Sequence, residues 1–494
     1  MDTATLRCAE TVVDRHELTA RIERTASGLV AAGVVAGERV ALLLRNCIEF
    51  IEISIAAGRI GAFVVPINWH FKPGEIEYLL DDSAPRIIFV HKALVGSLPP
   101  SWRKKVPVVS VAMEGDTSPH PSILDFTLWR HQFPHLRLPL QAAPGSIVYT
   151  SGTTGRPKGV QRCASAPDSL EKMNALRAAM YRIAPTSRIA IPGPLYHAFP
   201  NQFALHAAMG AAHLEIVPRF DPEEFLALIA RERITSVGVS PIMFVRLLRL
   251  PEETRRAYDL SSLEWAIHAG GPCAPDVKRA MIDWWGPIIG EYYGGTETGP
   301  LTLCSSAEWL AYPGTCGKPI DGVELRIIGD DGKDVPRGTP GEIYGRLWHY
   351  PDFTYRNDPE KRDEVALGDL ITLGDIGYQN TQGYLFLCDR VRDMIISGGV
   401  NIYPAEVEGA IFSLNHVDDC AVVGVPDDEY GERVIAFVCG QDLSPDQITT
   451  QLREQLAGYK VPREIIILPS LDRDASGKLR KGALRNQYLD RANS

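Results

Sequence analysis

Glu38–Asn68 reads ERVALLLRNCIEFIEISIAAGRIGAFVVPIN. ERVALLLRN is a short apolar run bounded by charge and predicts a strand. CIEFIEISIAAGRIG predicts the helix after it, and AFVVPIN a second strand. Short apolar strands alternating with amphipathic helices make α/β layers.

Outward from this unit the rhythm continues. KPGEIEYLLDDS reads as helix and PRIIFVH as strand. Further on, FDPEEFLALIARERI reads as helix, TSVGVS as strand, PIMFVRLLRL as helix and LEWAIHAGG as strand. Proline opens helices and glycine follows strands, as each residue's backbone limits dictate. After about residue 312, IDGVELRIIGDDGKDVPRGTPGEIYGRL holds two β-like runs joined by Gly/Asp turns. From about residue 391 a further unit begins. AEVEGAIFSL and ITTQLREQLAG read as helices, VDDCAVVGVPD and GERVIAFVCG as strands. The expected fold class is α/β: a large N-terminal domain over 1–390, whose β-rich end is 312–390, and a small α+β C-terminal domain over 391–494.

The bulk composition bounds the function. A chain of 494 residues with 45% hydrophobic content has ample core for more than one domain. A formal net charge of -10 argues against a general nucleic-acid surface. Nine dispersed cysteines without a CxxC pair fit a reducing cytoplasm. No signal-like start and no run of eighteen apolar residues occur, so no membrane span is expected.

The chemistry concentrates in a few short strings. YTSGTTGRPKGV, Tyr149–Val160, packs four Ser/Thr residues, three glycines, an arginine and a lysine into twelve positions. A glycine-rich loop after the strand GSIVYT can present backbone N–H groups and hydroxyls to an anion, and Lys158 adds a mobile charge. It is neither a Walker loop nor a Rossmann loop, because Arg156 and Pro157 separate glycine from lysine. On composition alone, a plain surface turn explains it as well as a phosphate site does. YYGGTETG, Tyr292–Gly299, supplies an aromatic pair, a hydroxyl and a carboxylate. Tyr293 can lie on a base, Thr296 can bond a phosphate oxygen and Glu297 can hold Mg²⁺, or the string is a polar turn after a strand. Asp375 in LGDIGYQN can accept two ribose hydroxyls or cap a turn, and Arg390 follows fifteen residues later. His197 in GPLYHAFPNQF can orient a carboxylate or cap the next helix. Phe199, Asn201 and Phe203 are candidate pocket residues, with the strand end near Val239 as further wall.

Taken in order, these strings resemble the motifs of the adenylate-forming superfamily, which holds acyl- and aryl-CoA ligases, amino-acid-activating domains and luciferases. The resemblance spans about Glu38 to Arg485. It implies that Thr150, Ser151, Gly152, Thr153, Thr154, Gly155 and Lys158 bind the phosphates. Gly270, Gly271 and Pro272 of HAGGPC would line the adenine together with Tyr292, Tyr293 and Gly294. Asp375 and Arg390 would hold the ribose, and Glu297 with Thr150 the metal. In RVRDMIISGGVNIYPAEVE, Arg392 matches the hinge, usually Lys or Asp, and Gly399 a glycine beside the coenzyme A thiol arm; the Gly398–Gly399 pair also reads as a hairpin turn. Lys478 of LDRDASGKLRKGALR matches the lysine that reaches the carboxylate and α-phosphate; taken alone, the string is a solvated charge run. The usual Pro-Lys-Thr before it is here Asp472-Arg473-Asp474, and Asp389 replaces a glycine found in some relatives.

The implied catalytic residues are Lys478, Glu297, Thr296 and His197, and the implied cofactors are ATP, Mg²⁺ and coenzyme A. The expected substrate is a hydrophobic or aromatic carboxylic acid, a small-molecule partner of any size, since the pocket string offers no carboxylate for an amino acid's ammonium group. A homodimer is an option. Two other readings stay open here: acyl transfer to a separate carrier protein, and a catalytically silent nucleotide-binding protein.

Overall fold

The computed structural model describes residues 4–112, 123–135, 144–151, 157–163, 166–390, 393–397, 400–427, 429–473, 479 and 481–492. The Glu38–Asn68 unit forms as expected. Arg39–Leu43 and Phe63–Pro66 pair in parallel, with the helix Ile48–Arg59 between them in sequence. Ile87–His91, Val108–Val111 and Leu124–Asp125 extend this sheet in parallel register. Ile87–His91 is buried along its whole length, as a strand covered on both faces must be.

A second, longer sheet carries the site. Its parallel part runs His213–Ile216, Arg188–Ile191, Ser236–Val239, Trp265–His268 and Ile289–Gly295. The helix Ile48–Arg59 packs against Ala198–Gly210, so the two sheets share one core of Val40, Leu42 and Phe89 with Ile189, Ile191 and Leu214. Inside it Glu52 is fully buried. It accepts from Thr25 at 2.5 Å and pairs with Arg130 at 2.8 Å, and burial, partly offset by Arg130, raises its pKa to about 7. Thr5–Cys8 and Thr11–Asp14 form a hairpin that adds to the sheet edge beside His213–Ile216. Nothing in the sequence pattern marks this hairpin, because four-residue strands carry too little periodicity.

The β-rich stretch after residue 312 is not separated by its hydrogen bonds. Thr315–Pro319 pairs with Gly299–Cys304 on one side and Leu385–Arg390 on the other, so the ladder continues into Leu370–Gln379, Gly341–Leu347 and Val323–Ile328. The smaller C-terminal domain is α+β. The long strands Val417–Asp427 and Gly431–Gly440 pair antiparallel, Glu464–Ile467 joins in parallel, and Pro404–Phe412 and Pro445–Gln455 cover one face through Val407, Ile411, Ile448 and Leu452. Ile395–Ser397 and Val400–Ile402 pair with Ser397 opposite Val400, the spacing of a two-residue hairpin. Among the contacts that tie this domain to the larger one, Asp389 Oδ2 accepts from the Ala405 amide at 2.7 Å, and the Arg249 guanidinium pairs with Asp418 at 3.6 Å. Among the described residues no helix is long and apolar enough to cross a membrane.

Candidate active site

The phosphate string folds as a hairpin. Val148–Ser151 and Pro157–Arg162 pair antiparallel, and Phe353–Tyr355 adds on the outer side. The second strand is hard to see in the sequence because proline and glycine open it, yet PKGVQR ends in apolar–polar alternation. Thr150 sits opposite Lys158, which puts both side chains on one face. Thr150 Oγ1 donates to Glu297 Oε1 at 3.1 Å, and the Tyr355 hydroxyl donates to the same oxygen at 3.2 Å. Burial first, then the carboxylate beside it, hold the Tyr355 phenol well above its usual range. Lys158 Nζ lies 5.1 Å from the centre of the Tyr355 ring.

Glu297 is placed by a residue that no motif contains. Arg162 is half-buried, and its guanidinium donates to the backbone carbonyls of Thr296, of Glu297 at 2.8 Å and of Pro351 at 2.6 Å. Burial depresses its pKa, and the Tyr350 ring 3.8 Å away provides a π face for the charge. Arg162 thereby fixes the turn carrying Thr296 and Glu297 against the hairpin. Its place in line with the apolar Val160, two residues earlier on the same strand face, was the available signal. Gly294 makes that turn feasible: a Cβ there would lie 2.1 Å from the Gly299 carbonyl oxygen.

The two tyrosines expected together part company. Strand alternation sends Tyr293 to one face of Ile289–Gly295 and Tyr292 to the other. Tyr293 is 8% exposed among Leu301, Cys316 and Leu385, and its hydroxyl donates to Asp375 Oδ2 at 2.9 Å. Asp375 faces Arg390 across two paired strands, with Arg390 Nε 3.2 Å from Oδ1. These three form a chain. A carboxylate has about four lone-pair positions, so Asp375 can serve several donors at once. Tyr292 instead meets Phe199 edge-on at 5.4 Å, on the side of the candidate acid pocket, which corrects its place beside the base.

Gly270, Gly271 and Pro272 are exposed, just past the parallel strand Trp265–His268. His268 is the register partner of Glu291, so this loop and Tyr293 leave the carboxyl ends of neighbouring strands, where open α/β sheets bind ligands. Beneath them lies an ionic cluster that the sequence motifs do not announce. Lys278 is fully buried against Glu291, with His268 Nε2 3.6 Å from the same carboxylate. Burial raises the Glu291 pKa against the pull of Lys278, and keeps His268 neutral.

In the candidate acid pocket, His197 occupies the N-cap of Ala198–Gly210 without a side-chain cap bond, and its ring stands 4.5 Å from that of Tyr196. The alternative that it caps the helix is therefore set aside. Phe199 is half-buried and forms wall. Asn201 and Phe203 do not. Asn201 is 1% exposed, donating to the Leu195 carbonyl at 2.9 Å and accepting from Ser146 at 3.2 Å. Phe203 is fully buried and stacked on Tyr181 at 4.4 Å. A polar amide on a helix beside a strand end is more cheaply satisfied inside than offered to an apolar ligand.

Several assigned residues lie outside the described ones: Gly152, Thr153, Thr154, Gly155, Arg392, Gly399 and Lys478, and so does the side chain of Ser151. The described residues flanking Lys478 pair as a bridge, Arg473 with Leu479, and Arg473 is anchored by Asp419 at 2.7 Å. That anchor gives the unusual Asp-Arg-Asp sequence a structural use. Among the described residues no group of three or more His, Cys, Asp or Glu could hold a metal by itself. The donor set of Glu297 and Thr150 nevertheless fits Mg²⁺, which takes one or two protein oxygens and completes its octahedron with phosphates and water.

Comparison with known proteins agrees with this geometry. The model of the AMP-binding enzyme family matches residues 4–346, and that of the AMP-binding enzyme C-terminal domain matches 406–478. The chain is 32% identical over 495 residues to a feruloyl-CoA synthase of Amycolatopsis sp, covering 98% of this chain and 95% of that one. It is 32% identical to an indoleacetate–CoA ligase of Aromatoleum aromaticum, covering 97% and 94%. ATP-bound MatB from Rhodopseudomonas palustris superposes with a TM-score of 0.87 at 28% identity, covering 99% of this chain and 96% of that one; apo MatB gives 0.75 over the same coverage. The chain therefore belongs to the AMP-binding enzyme family, in the acyl- and aryl-CoA ligase branch of the adenylate-forming superfamily.

Proposed function

We propose that this protein activates a hydrophobic or aromatic carboxylic acid and transfers its acyl group to coenzyme A. It is an AMP-forming acid–CoA ligase, converting acid, ATP and coenzyme A to acyl-CoA, AMP and pyrophosphate. The observation that carries the nucleotide half is the convergence of Thr150 and Tyr355 on one oxygen of Glu297, with Lys158 beside them and the Tyr293–Asp375–Arg390 chain a short step along the same strand.

In the first step a carboxylate oxygen bonds to the α-phosphorus while the bond to the β-phosphate oxygen breaks. No protein nucleophile is needed, and an ordinary carboxylic acid is already ionised at pH 7. The protein's task is to offset negative charge and hold the reactants in line. Asp375 and Arg390 fix the ribose, and the loop after Gly270 with Tyr293 fixes the base. Thr150 and Lys158 face the phosphates. Glu297 and Thr150 hold Mg²⁺, which when bound neutralises phosphate charge. His197 orients the acid's carboxylate, and Lys478 brings a cation to the α-phosphate from the C-terminal domain.

In the second step the thiolate of coenzyme A attacks the acyl carbon and AMP leaves. Lys478 obstructs that approach, so the C-terminal domain turns about Arg392 and presents the Gly399 face. The Asp389–Ala405 and Arg249–Asp418 contacts belong to one of the two arrangements and part in the other.

The acid assignment rests on the wall. Phe199 and Tyr292 present aromatic surface, and both sequence relatives named above act on aromatic acids by their names. The test is incubation with ATP, Mg²⁺, coenzyme A and a panel of aryl, indolyl and fatty acids, measuring AMP, pyrophosphate and acyl-CoA separately. Stoichiometric acyl-CoA with an aryl acid is expected. AMP without acyl-CoA across the panel overturns coenzyme A as the acceptor in favour of a carrier protein.

A further inference from the structure

Beside the phosphate hairpin, on the side of Lys158, opens a cavity of about 300 Å³ lined by Tyr78, Asp82, Lys158, Arg356, Asp358 and Lys361 among others. Its walls come from three places and are tied to the hairpin. The Tyr78 hydroxyl donates to the Pro157 carbonyl at 3.1 Å, and the Arg356 amide donates to the Gly159 carbonyl at 2.9 Å. Arg356 Nε also donates to the Asp82 carbonyl at 2.7 Å. The cavity is therefore a built feature of the hairpin's surroundings rather than a gap between loose surface chains.

Its charges do not cancel. Asp82 is engaged, accepting from the Tyr149 hydroxyl at 2.6 Å and from Asn357 Nδ2 at 3.0 Å. Asp358 pairs with Lys361 at 3.0 Å. Lys158, by contrast, makes no ion pair among the described residues; an aromatic face is what holds it. An ammonium beside an aromatic ring, with an arginine and a second lysine further along, favours a compact anion of high charge.

Lys158 also links this cavity to the chemistry. Its cross-strand partner Thr150 and the ring beneath it, Tyr355, both donate to Glu297. The cavity thus begins one side chain from the carboxylate assigned to the metal. We propose that it is the departure site for the leaving group: inorganic pyrophosphate, once its bond to the α-phosphorus has broken, is taken by Lys158 and drawn toward Arg356 and Lys361 while the adenylate stays in place. This inference rests on the adenylate-forming reading above. Its consequence is directional. The adenylate is attacked in reverse only by pyrophosphate at the α-phosphorus, so a cationic station to one side favours the forward reaction.

The test uses the full-length protein and inorganic pyrophosphate with Mg²⁺ as the probe. Lys361 lies on the four-residue helix Lys361–Glu364, within the proposed station and outside the residues assigned to ATP and coenzyme A. Lys361→Glu is expected to weaken equilibrium binding of pyrophosphate about fivefold and Lys361→Ala about twofold, with the KM for ATP and for coenzyme A changed less than about twofold. Asp358→Asn, which removes the opposing charge, is expected to tighten it, an effect that mere damage to the fold does not produce. Unchanged pyrophosphate binding in all three variants overturns the proposal. A rise in the coenzyme A KM in place of the pyrophosphate constant also overturns it, assigning the cavity to the phosphates of coenzyme A. ATP–pyrophosphate exchange by the unaltered enzyme is run in parallel. Its absence with every acid would strike the adenylate reading, whereas the binding constants still decide the cavity.

Discussion

The nucleotide wall and the acid wall of this site are built on opposite principles. On the nucleotide side, polar atoms meet in short bonds: two hydroxyls on Glu297, a phenol and a guanidinium on Asp375, a half-buried arginine on the carbonyls beneath. On the acid side, Phe199 and Tyr292 meet ring to ring over the buried rings of Tyr181 and Phe203, and the polar Asn201 is turned inward. The difference follows from what each wall must recognise. ATP is constant and highly charged, so its wall needs fixed partners at fixed places. The acid is recognised by shape, and rings give shape without committing hydrogen bonds.

The largest effect should come from the centre of the polar wall. Glu297→Gln keeps the volume and removes the charge that two hydroxyls share and that the proposed mechanism assigns to Mg²⁺. Adenylate formation is expected to fall by about 10³-fold, measured by acid-dependent pyrophosphate release, on the scale of losing a group that stabilises transition-state charge. A loss below tenfold would mean that Glu297 does not hold the metal. Lys478→Ala tests the part supplied by the C-terminal domain. Adenylate formation is expected to fall about 10²-fold, while thioester formation from added acyl-adenylate changes little. Equal losses in both half-reactions would remove its assignment to the first step.

Asp375→Ala severs the chain to Tyr293 and Arg390 without touching the phosphates. The KM for ATP is expected to rise about tenfold with a smaller change in kcat, because a hydrogen bond to a charged group stabilises by roughly 1.5–3 kcal/mol. The acid wall should respond in the opposite sense. Gly238 lies on Ser236–Val239, and a Cβ there would stand 2.7 Å from Phe203 and 3.1 Å from Phe199. Phe203 is stacked in the core and cannot yield, so Gly238→Ala should displace Phe199 into the pocket. Phe199→Ala should open it. Both are expected to shift the ratio of kcat/KM between small and bulky acids by up to about tenfold, in opposite directions, with the KM for ATP unchanged. A parallel change in ATP binding would show that the two walls are not independent.

The polar wall was legible in the sequence and the aromatic one obscure, for a physical reason. A charge-binding turn needs particular residues at fixed spacing, so TSGTTGRPKG and YGGTE stand out as strings. Even there legibility ends with the string. Arg162 and Tyr355, which fix and share Glu297, lie 135 and 58 residues from it in the chain, and no local pattern marks such a pairing. The parallel α/β layers were readable because buried strands and amphipathic helices differ in length and period. The Thr5–Asp14 hairpin was not. The acid wall depends on which side of a strand or helix a ring faces. Tyr292 and Tyr293 differ by one residue and meet different partners, Phe199 and Asp375, while Asn201 and Phe199, two apart on a helix, differ in burial.

Tyr350 lies between the walls, and its titration gives the subtlest test. Tyr350 is buried beneath Arg162 on the nucleotide side, and its hydroxyl accepts from Gln202 of the Ala198–Gly210 helix at 3.0 Å. Burial raises its pKa, but Arg162 and Arg177 outweigh burial and bring it down to about 8, from 10 for a free phenol. A depressed folded pKa contributes stability that is fully present above the unfolded value and is lost as pH falls through the folded one. The window is therefore pH 8 to 10, and at pH 7 the group contributes nothing. Across that window the protein should gain up to about 3 kcal/mol relative to Tyr350→Phe, since each tenfold change in an acid dissociation constant corresponds to about 1.4 kcal/mol. Denaturant melts of the two proteins at pH 7.5 and 9.5 measure the difference, and phenolate absorbance with a midpoint near 8, absent from the variant, identifies the group. If the stability gap between the proteins does not widen with pH, the two arginines do not hold a phenolate between the walls, and the coupling of nucleotide and acid through Tyr350 reduces to packing alone.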